Sequence, residues 1–361
     1  MALRSNPLDG FTVDRAAIGF IGHELQRPEC ILAERDGTLW AADARGGVMR
    51  IDPDGTQTFV GQRADERFAC AATDTADAFE AKFTQGTLPN GLAFARDGSL
   101  LIANFGTDCL ETMTRDGRTR TLVDRIDGQP IGKVNFVLRD SKDRIWLTIS
   151  TRVNPWTQAA ATRVRDGYVA VMDGQGLRVV ADGFHFTNEI RLDAQEQWLY
   201  IVETTGPQIS RMRLVESPRG VTLTDREVFG PSHLGGYPDG IAFDAHGNLW
   251  CTLVMVDKLV ALTPEGDLRL LLDDGDPQAS AALLRKMDEG RVTAEDMARA
   301  RGTLAPWMAS ITFGGPDLRT VYVGSLLGTT IPYFRSPLAG LPMVHWHDAS
   351  AADLRPSHTR P

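Results

Sequence analysis

Six polar residues hold one position of a repeated phrase: Glu29, Asn90, Asn135, Asn188, Asp239 and Ser310. They supply two carboxylates, three amides and a hydroxyl, and no His or Cys shares the position. Such oxygen donors suit a hard cation, Ca²⁺ or Mg²⁺ ahead of zinc. A cation held by them could polarise a carbonyl oxygen and stabilise an oxyanion. Water activated by the metal or by a ring carboxylate would then attack. Asn and Asp before Gly also make turns, and Asn90-Gly91 and Asp239-Gly240 fit that alternative. Glu29, Asn135 and Asn188 precede Cys, Phe and Glu, where it has less force.

The elements that must position these side chains follow from the repeat. Eleven residues after each polar residue stand Trp40, Leu101, Trp146, Leu199, Trp250 and Val321. Between them lie a short apolar run and a turn, with Asp36-Gly37, Asp97-Gly98 and His246-Gly247 as turn dipeptides. Copies one, two and five continue into another apolar run, a Gly-containing turn and a further run. Each unit therefore reads as about four strands, and the copies lie 45 to 71 residues apart. Four-stranded units at this spacing predict a six-bladed β-propeller, all-β, as one domain over residues 1–361. Its blades start near residues 29, 90, 135, 188, 239 and 310. A two-sheet sandwich or a parallel β-helix would not fix a polar residue eleven positions before an apolar one. The segment Ala17 to Leu25 is expected to close the ring with the last blade. In a propeller the innermost strands line the channel, so all six polar residues should meet at one of its ends.

Three insertions should face that same end: residues 61–88, 151–166 and 273–308. The last is expected to be helical, starting at Asp276-Pro277 with Leu283, Leu284 and Met287 on one face. A second helix should start at Thr293 and Asp296, close to a capping box. Blade strands lie outside residues 276–302, so their removal is expected to leave the propeller folded. Phe83, Trp156 and Trp307 are candidate pocket walls; single aromatics are more often packing residues. His185 and His233 precede ring residues and are candidate proton shuttles, each also readable as structural.

Lys plus Arg number 38 against 47 Asp plus Glu, a net charge of −9. That balance disfavours sequence-independent binding to nucleic acid or anionic lipid. No apolar run approaches the roughly 20 residues of a membrane span. Met1 to Gly10 lacks a basic segment followed by an apolar stretch, so a cytoplasmic location is expected. Cys30, Cys70, Cys109 and Cys251 are scattered without C-x-x-C, which disfavours a disulfide scaffold or zinc knuckle. Cys30 should point away from Glu29 into blade packing. There is no G-x-S-x-G, Walker loop or G-x-G-x-x-G.

Between Pro28 and Val323 the chain resembles the senescence-marker-protein/gluconolactonase/luciferin-regenerating-enzyme (regucalcin-like) family of six-bladed propellers. The resemblance is carried by Glu29, by Phe186-Thr187-Asn188-Glu189-Ile190, by Tyr237-Pro238-Asp239-Gly240-Ile241 and by Asn135. It implies that Glu29, Asn135, Asn188 and Asp239 hold a divalent cation, usually calcium, with zinc, manganese or magnesium in some members. It also implies a metal-dependent hydrolase opening a lactone or related ester. Two motifs depart from the family. Blade one reads Glu29-Cys30-Ile31-Leu32 in place of E-G-P-x-W. Blade three reads Lys133-Val134-Asn135-Phe136 in place of R-x-N-D, without its Arg and Asp. Asp239 is the first candidate base and Glu29 the second. Asn90, Lys133, Phe136, His185 and Trp156 are the expected contacts to a small-molecule substrate. The competing readings are a non-catalytic ligand-binding propeller, and a phosphoester hydrolase or isomerase at the same metal.

Overall fold

A computed structural model describes residues 6–63 and 86–348. Its strands form six four-stranded antiparallel sheets, each in consecutive order outward from the channel except the sixth, and one two-stranded ribbon, Arg125–Ile126 with Gln129–Pro130. The innermost strands are Ile31–Ala33, Pro89–Phe94, Val134–Arg139, Thr187–Leu192, Tyr237–Phe243 and Met308–Gly314. Each contacts the innermost strand of the next blade, and the sixth contacts the first, so the ring is closed. The chain is thus the six-bladed propeller that the repeat predicts. Blade six takes its outermost strand from the N-terminal segment. Gly19–Ile21 pairs antiparallel with Ile331–Tyr333, inside the expected closing segment.

The eleven-residue spacing has a packing cause. It places Trp40, Trp146 and Trp250 on second strands, each almost wholly buried between blades. Their indole N–H groups donate to a carboxylate six residues earlier: Glu34 (2.7 Å), Asp140 (2.8 Å) and Asp244 (2.9 Å). A buried indole needs such an acceptor, and the first hairpin supplies it. Leu101, Leu199 and Val321 fill the same position in the other blades without needing one.

The helical insertion begins as expected. Asp276 caps helix α2 (Pro277–Asp288) by accepting from Ala279 N at 2.7 Å, with Pro at its first turn. Thr293 and Asp296 form a full capping box on α3 (Ala294–Ala300). Leu283 and Met287 of α2 and Ala300 of α3 are buried. They pack over Tyr237, Val254, Val256 and Trp307. A shorter helix, α1 (Trp156–Thr162), lies in the 151–166 insertion. Most of the 61–88 insertion, with Cys70 and Phe83, lies outside the described residues. Among the described residues no helix is long and apolar enough to cross a membrane.

Candidate metal centre

In blades two to six the polar residue sits in a β-bulge. Register slips by one residue between Pro89 and Leu92, Val134 and Phe136, Thr187 and Ile190, Pro238 and Ile241, and Met308 and Ile311. In blade one, regular pairing starts only at Ile31, two residues after Glu29. A bulge interrupts strand alternation and re-aims one side chain. Second-strand hydroxyls accept the N–H groups it frees: Thr148 from Phe136 N (3.0 Å) and Thr252 from Gly240 N (2.9 Å).

The peptide ahead of the ring residue is then pinned from the neighbouring blade. Ser150 donates to Thr187 O (2.8 Å), Thr204 to Pro238 O (2.8 Å), and Thr252 to Ala309 O. Gly91 and Gly240 are not turn glycines: they lie within innermost strands. A β-carbon on Gly91 would lie 2.7 Å from Phe136 Cα, and one on Gly240 would strike the Ala309 carbonyl. Glycine there lets adjacent innermost strands approach, which disposes of the turn alternative for Asn90 and Asp239.

All six ring residues are buried. Asn90 Nδ2 donates to Glu29 Oε1 (3.2 Å) and Asn135 O (3.0 Å), and its Oδ1 accepts from Arg27 Nη2 (2.6 Å). Asn188 Nδ2 donates to Thr204 (3.1 Å). Two acceptors remain buried without a hydrogen-bond partner, Glu29 Oε2 and Asn188 Oδ1. Burial raises the carboxyl of Glu29 to about 7, against the lowering influence of Arg27 and Arg191. Asp239 is pushed well above the carboxylate range, first by burial, then by the charges of Glu29 and Glu189. Orphaned acceptor oxygens beside carboxyls that resist ionising together are what a bound cation would relieve. The donor set, two carboxylates with two amide oxygens, therefore fits a hard divalent ion. Among the described residues no group of three or more His, Cys, Asp and Glu forms an alternative metal cluster.

The remaining expected residues are placed less alike. Lys133 is buried, with its ammonium on Asp108 Oδ1 (2.9 Å) and Phe105 O (3.1 Å). Phe136 is packed in the core beneath the Arg191 guanidinium, 4.6 Å from its ring centre, so it braces the channel from within. Trp156 on α1 packs against Phe105 and Phe186 at 5.5 and 5.8 Å. His185 Nδ1 lies 3.0 Å from Arg163 O. Arg163 also donates to Met287 O (2.8 Å), joining the two described insertions. His233 Nε2 lies 4.0 Å from Asp288 at the end of α2. Cys30 packs in the core, as expected.

Three charged residues were not anticipated. Arg27 precedes the repeat, yet its guanidinium reaches Asn90 and Pro89 O and acts electrostatically on Glu29 and Asp239. Glu189 follows Asn188 inside the bulge and accepts from Ile241 N (3.2 Å). Arg191 pairs with it at 2.9 Å. The available signal was two charged side chains, Glu189 and Arg191, on a strand otherwise fit for burial.

Comparison with known proteins bears on the family and the fold. Residues 27–275 match the family described as SMP-30/Gluconolactonase/LRE-like region. A 6-deoxy-6-sulfogluconolactonase from Pseudomonas putida is 25% identical over 181 residues, 48% of this chain and 52% of that protein. This chain therefore spans about half the length of the curated relatives it matches. Among solved structures, a gluconolactonase from Xanthomonas campestris superposes with a TM-score of 0.63 at 17% identity, covering 91% of this chain and 94% of that one. A calcium-binding protein, regucalcin, from Agrobacterium tumefaciens gives 0.60 at 16%, covering 89% and 95%. At such identity these structures speak for the fold. The family match covers well over half of the sequence, and the chain belongs to the SMP-30/gluconolactonase/LRE-like family.

Proposed function

We propose that this member of the family is a divalent-metal-dependent hydrolase that opens a lactone or a related ester. The observation that carries the reading is the pair of orphaned, buried acceptors, Glu29 Oε2 and Asn188 Oδ1, on the ring that includes Asp239. Glu29, Asn135, Asn188 and Asp239 would hold the ion. Ca²⁺ is the first candidate, in line with the calcium-binding protein of the same fold; Mg²⁺, Mn²⁺ and Zn²⁺ are the others. When bound, the ion supplies electrophilic stabilisation of charge developing on the carbonyl oxygen.

The protein's own groups do the rest. Asp239 takes the proton of the attacking water, and Glu29 is the alternative acceptor. Either carboxyl accepts that proton only in its ionised form, which Arg27 favours at both. Arg27 offsets their joint charge. Asn90 fixes Glu29 and Arg27 relative to one another. Lys133, His185 and Trp156 form the substrate side, with Phe136 bracing the channel beneath.

A panel of lactones, aryl esters and phosphotriesters, assayed with and without chelator, tests the reading. Lactone hydrolysis abolished by chelator and restored by one divalent ion is expected. Asn188→Ala and Asp239→Ala should each lose both stoichiometric cation binding, read by calorimetry, and hydrolysis. A metal-loaded, active double variant would refute the site. Preferred turnover of phosphotriesters would favour the phosphoester alternative, and ligand binding without turnover would favour a non-catalytic propeller.

A further inference from the structure

We propose that Thr204 is a positioning residue of the metal centre: its hydroxyl sets which end of the Asn188 amide faces the ion, and ties that amide to the peptide that carries Asp239. The inference deepens the hydrolase reading of the same ring and rests on it. Thr204 directly follows the second strand of blade four, Trp198–Glu203, and is buried. Its N–H donates to Phe186 O at 3.2 Å, two residues ahead of Asn188, so its backbone is fixed to the entry of the innermost strand.

A hydroxyl has one proton to give. Thr204 gives it to Pro238 O at 2.8 Å, and its oxygen keeps only lone pairs. Asn188 Nδ2 donates to that oxygen at 3.1 Å. The two ends of an amide are alike in shape and opposite in chemistry: the carbonyl oxygen can bind a cation and the NH₂ cannot. Turned over, the Asn188 oxygen would meet Thr204 Oγ1 lone pair against lone pair, and the NH₂ would face the ion. The hydrogen-bond network thus assigns the amide's orientation. It leaves Asn188 Oδ1 buried without a partner, as a cation ligand requires. A hydrogen bond from Asn188 also holds down the proton affinity of Asp239. Asp239 is itself a member of the ring, whereas Thr204 stands outside it.

Three hydroxyls pin the peptide ahead of a ring residue: Ser150 on Thr187 O, Thr204 on Pro238 O and Thr252 on Ala309 O. Of these, Thr204 is the one whose oxygen also accepts from a ring side chain. One oxygen therefore sets the Asn188 amide of blade four and the Asp239 backbone of blade five.

Calorimetry with Ca²⁺ on the full chain tests it. Thr204→Val should weaken binding about 10- to 100-fold, the usual effect of losing a group that orients a metal ligand. Thr204→Ser keeps the hydroxyl and should stay within about threefold of the parent. Asn188→Asp separates orientation from backbone support. A carboxylate offers oxygen at both ends, so Thr204 has nothing left to orient. Adding Thr204→Val to Asn188→Asp should then cost less than about threefold. An equal loss in both backgrounds overturns the proposal and leaves Thr204 a support for Pro238 O. Unchanged Ca²⁺ affinity in Thr204→Val overturns it too. If Asn188→Asp binds no Ca²⁺, the serine variant decides, and one as weak as Thr204→Val overturns the proposal. Should Thr204→Val fail to fold, as read by circular dichroism, Thr204→Ala takes its place. A parent protein that binds none of Ca²⁺, Mg²⁺, Mn²⁺ and Zn²⁺ overturns the hydrolase reading itself, which is a different outcome from all of these.

Discussion

Glu29, Glu189 and Asp239 are buried together: the charge of Glu29 raises the proton affinity of Glu189 and Asp239, Glu189 raises that of Asp239, and Arg27 and Arg191 are the guanidiniums acting among them. Burial and Glu29 lift Glu189 to about 8, while Arg191 opposes the rise. A cation at the ring competes with protons for Glu29. Its binding should therefore weaken as pH falls through about 7, the value to which burial raises Glu29. Arg27 favours the ionised forms of Glu29 and Asp239. Arg27→Met removes that help and should move the midpoint of cation binding upward in pH. Calorimetric titrations of Ca²⁺ between pH 5 and 9 read the shift; a midpoint unmoved or lowered would show that Arg27 does not act on these carboxyls. The ring was legible in the sequence because all six of its members precede an apolar residue by a fixed offset within a strand pattern. Arg27 was not, since it enters from outside the repeat with a left-handed backbone at φ 55°. Glu189 was hidden for another reason: a period of two assigns it to the face opposite Asn188, and the bulge breaks that period.

At the scale of elements, the bulges and their hydroxyl partners place the donors. Thr252 serves both Gly240 N and Ala309 O. Thr252→Val keeps the shape and leaves both backbone groups buried without partners, at a cost of about 2–4 kcal/mol. Because Asp239 rides on that bulge, cation affinity should fall as well, at least tenfold. Chemical denaturation and calorimetry check the two effects, and a stable variant with weakened cation binding alone would make Thr252 a positioning residue only. Threonines on second strands invited no reading beyond β-propensity, so this support was invisible in sequence. The C-terminal turn Val344–His347 was likewise unforeseen. His345 Nε2 bonds Ala33 O at 2.9 Å and its ring meets Phe94 edge-on at 5.0 Å. Burial lowers its pKa to about 4, with Glu34 and Asp348 opposing and Arg139 assisting. Between about 4 and 6.5 the unfolded chain binds the proton and the folded one does not. Stability is full above the unfolded value and is lost as pH falls through that window. The loss amounts to about 3 kcal/mol. His345→Gln should flatten this part of the pH–stability curve, measured by urea unfolding at pH 4.5 and 7.5; an unchanged difference would assign the acid sensitivity to other groups.

At the scale of the molecule, a propeller must close, and here both ends of the described chain take part. Gly19–Ile21 completes blade six, and the segment before it runs across blade five: Leu8 is fully buried, Phe11 meets Trp250 at 6.3 Å, and Val13 N donates to Leu271 O at 2.8 Å. At the other end, Arg35 donates to Trp346 O at 3.1 Å, and Trp346 Nε1 to Ala33 O at 3.0 Å, which ties the C-terminal turn to blade one. The insertions are also more than additions to a finished ring. Leu283, Met287 and Ala300 cover Tyr237 and Val254, and Asp257 accepts from Gly302 N, Trp307 N and Met308 N. Removing residues 276–302 would bare that apolar surface, so the expectation that the propeller survives the deletion gives way to one of a destabilised chain. The closing strand gives the sharper experiment. Truncation through Ile21 strips the ladder from Ile331–Tyr333 and exposes the surface under Leu8 and Val13. Leu8 and Val13 alone are worth about 3–6 kcal/mol of burial. The truncated protein should unfold at lower urea, with the amides of Ile331–Arg335 exchanging as in an unprotected edge strand while those of blades two to four keep their protection. Uniform loss across all blades would mean that the ring opens as one cooperative unit. Unchanged protection at Ile331–Arg335 would mean that the N-terminal strand is not what closes it.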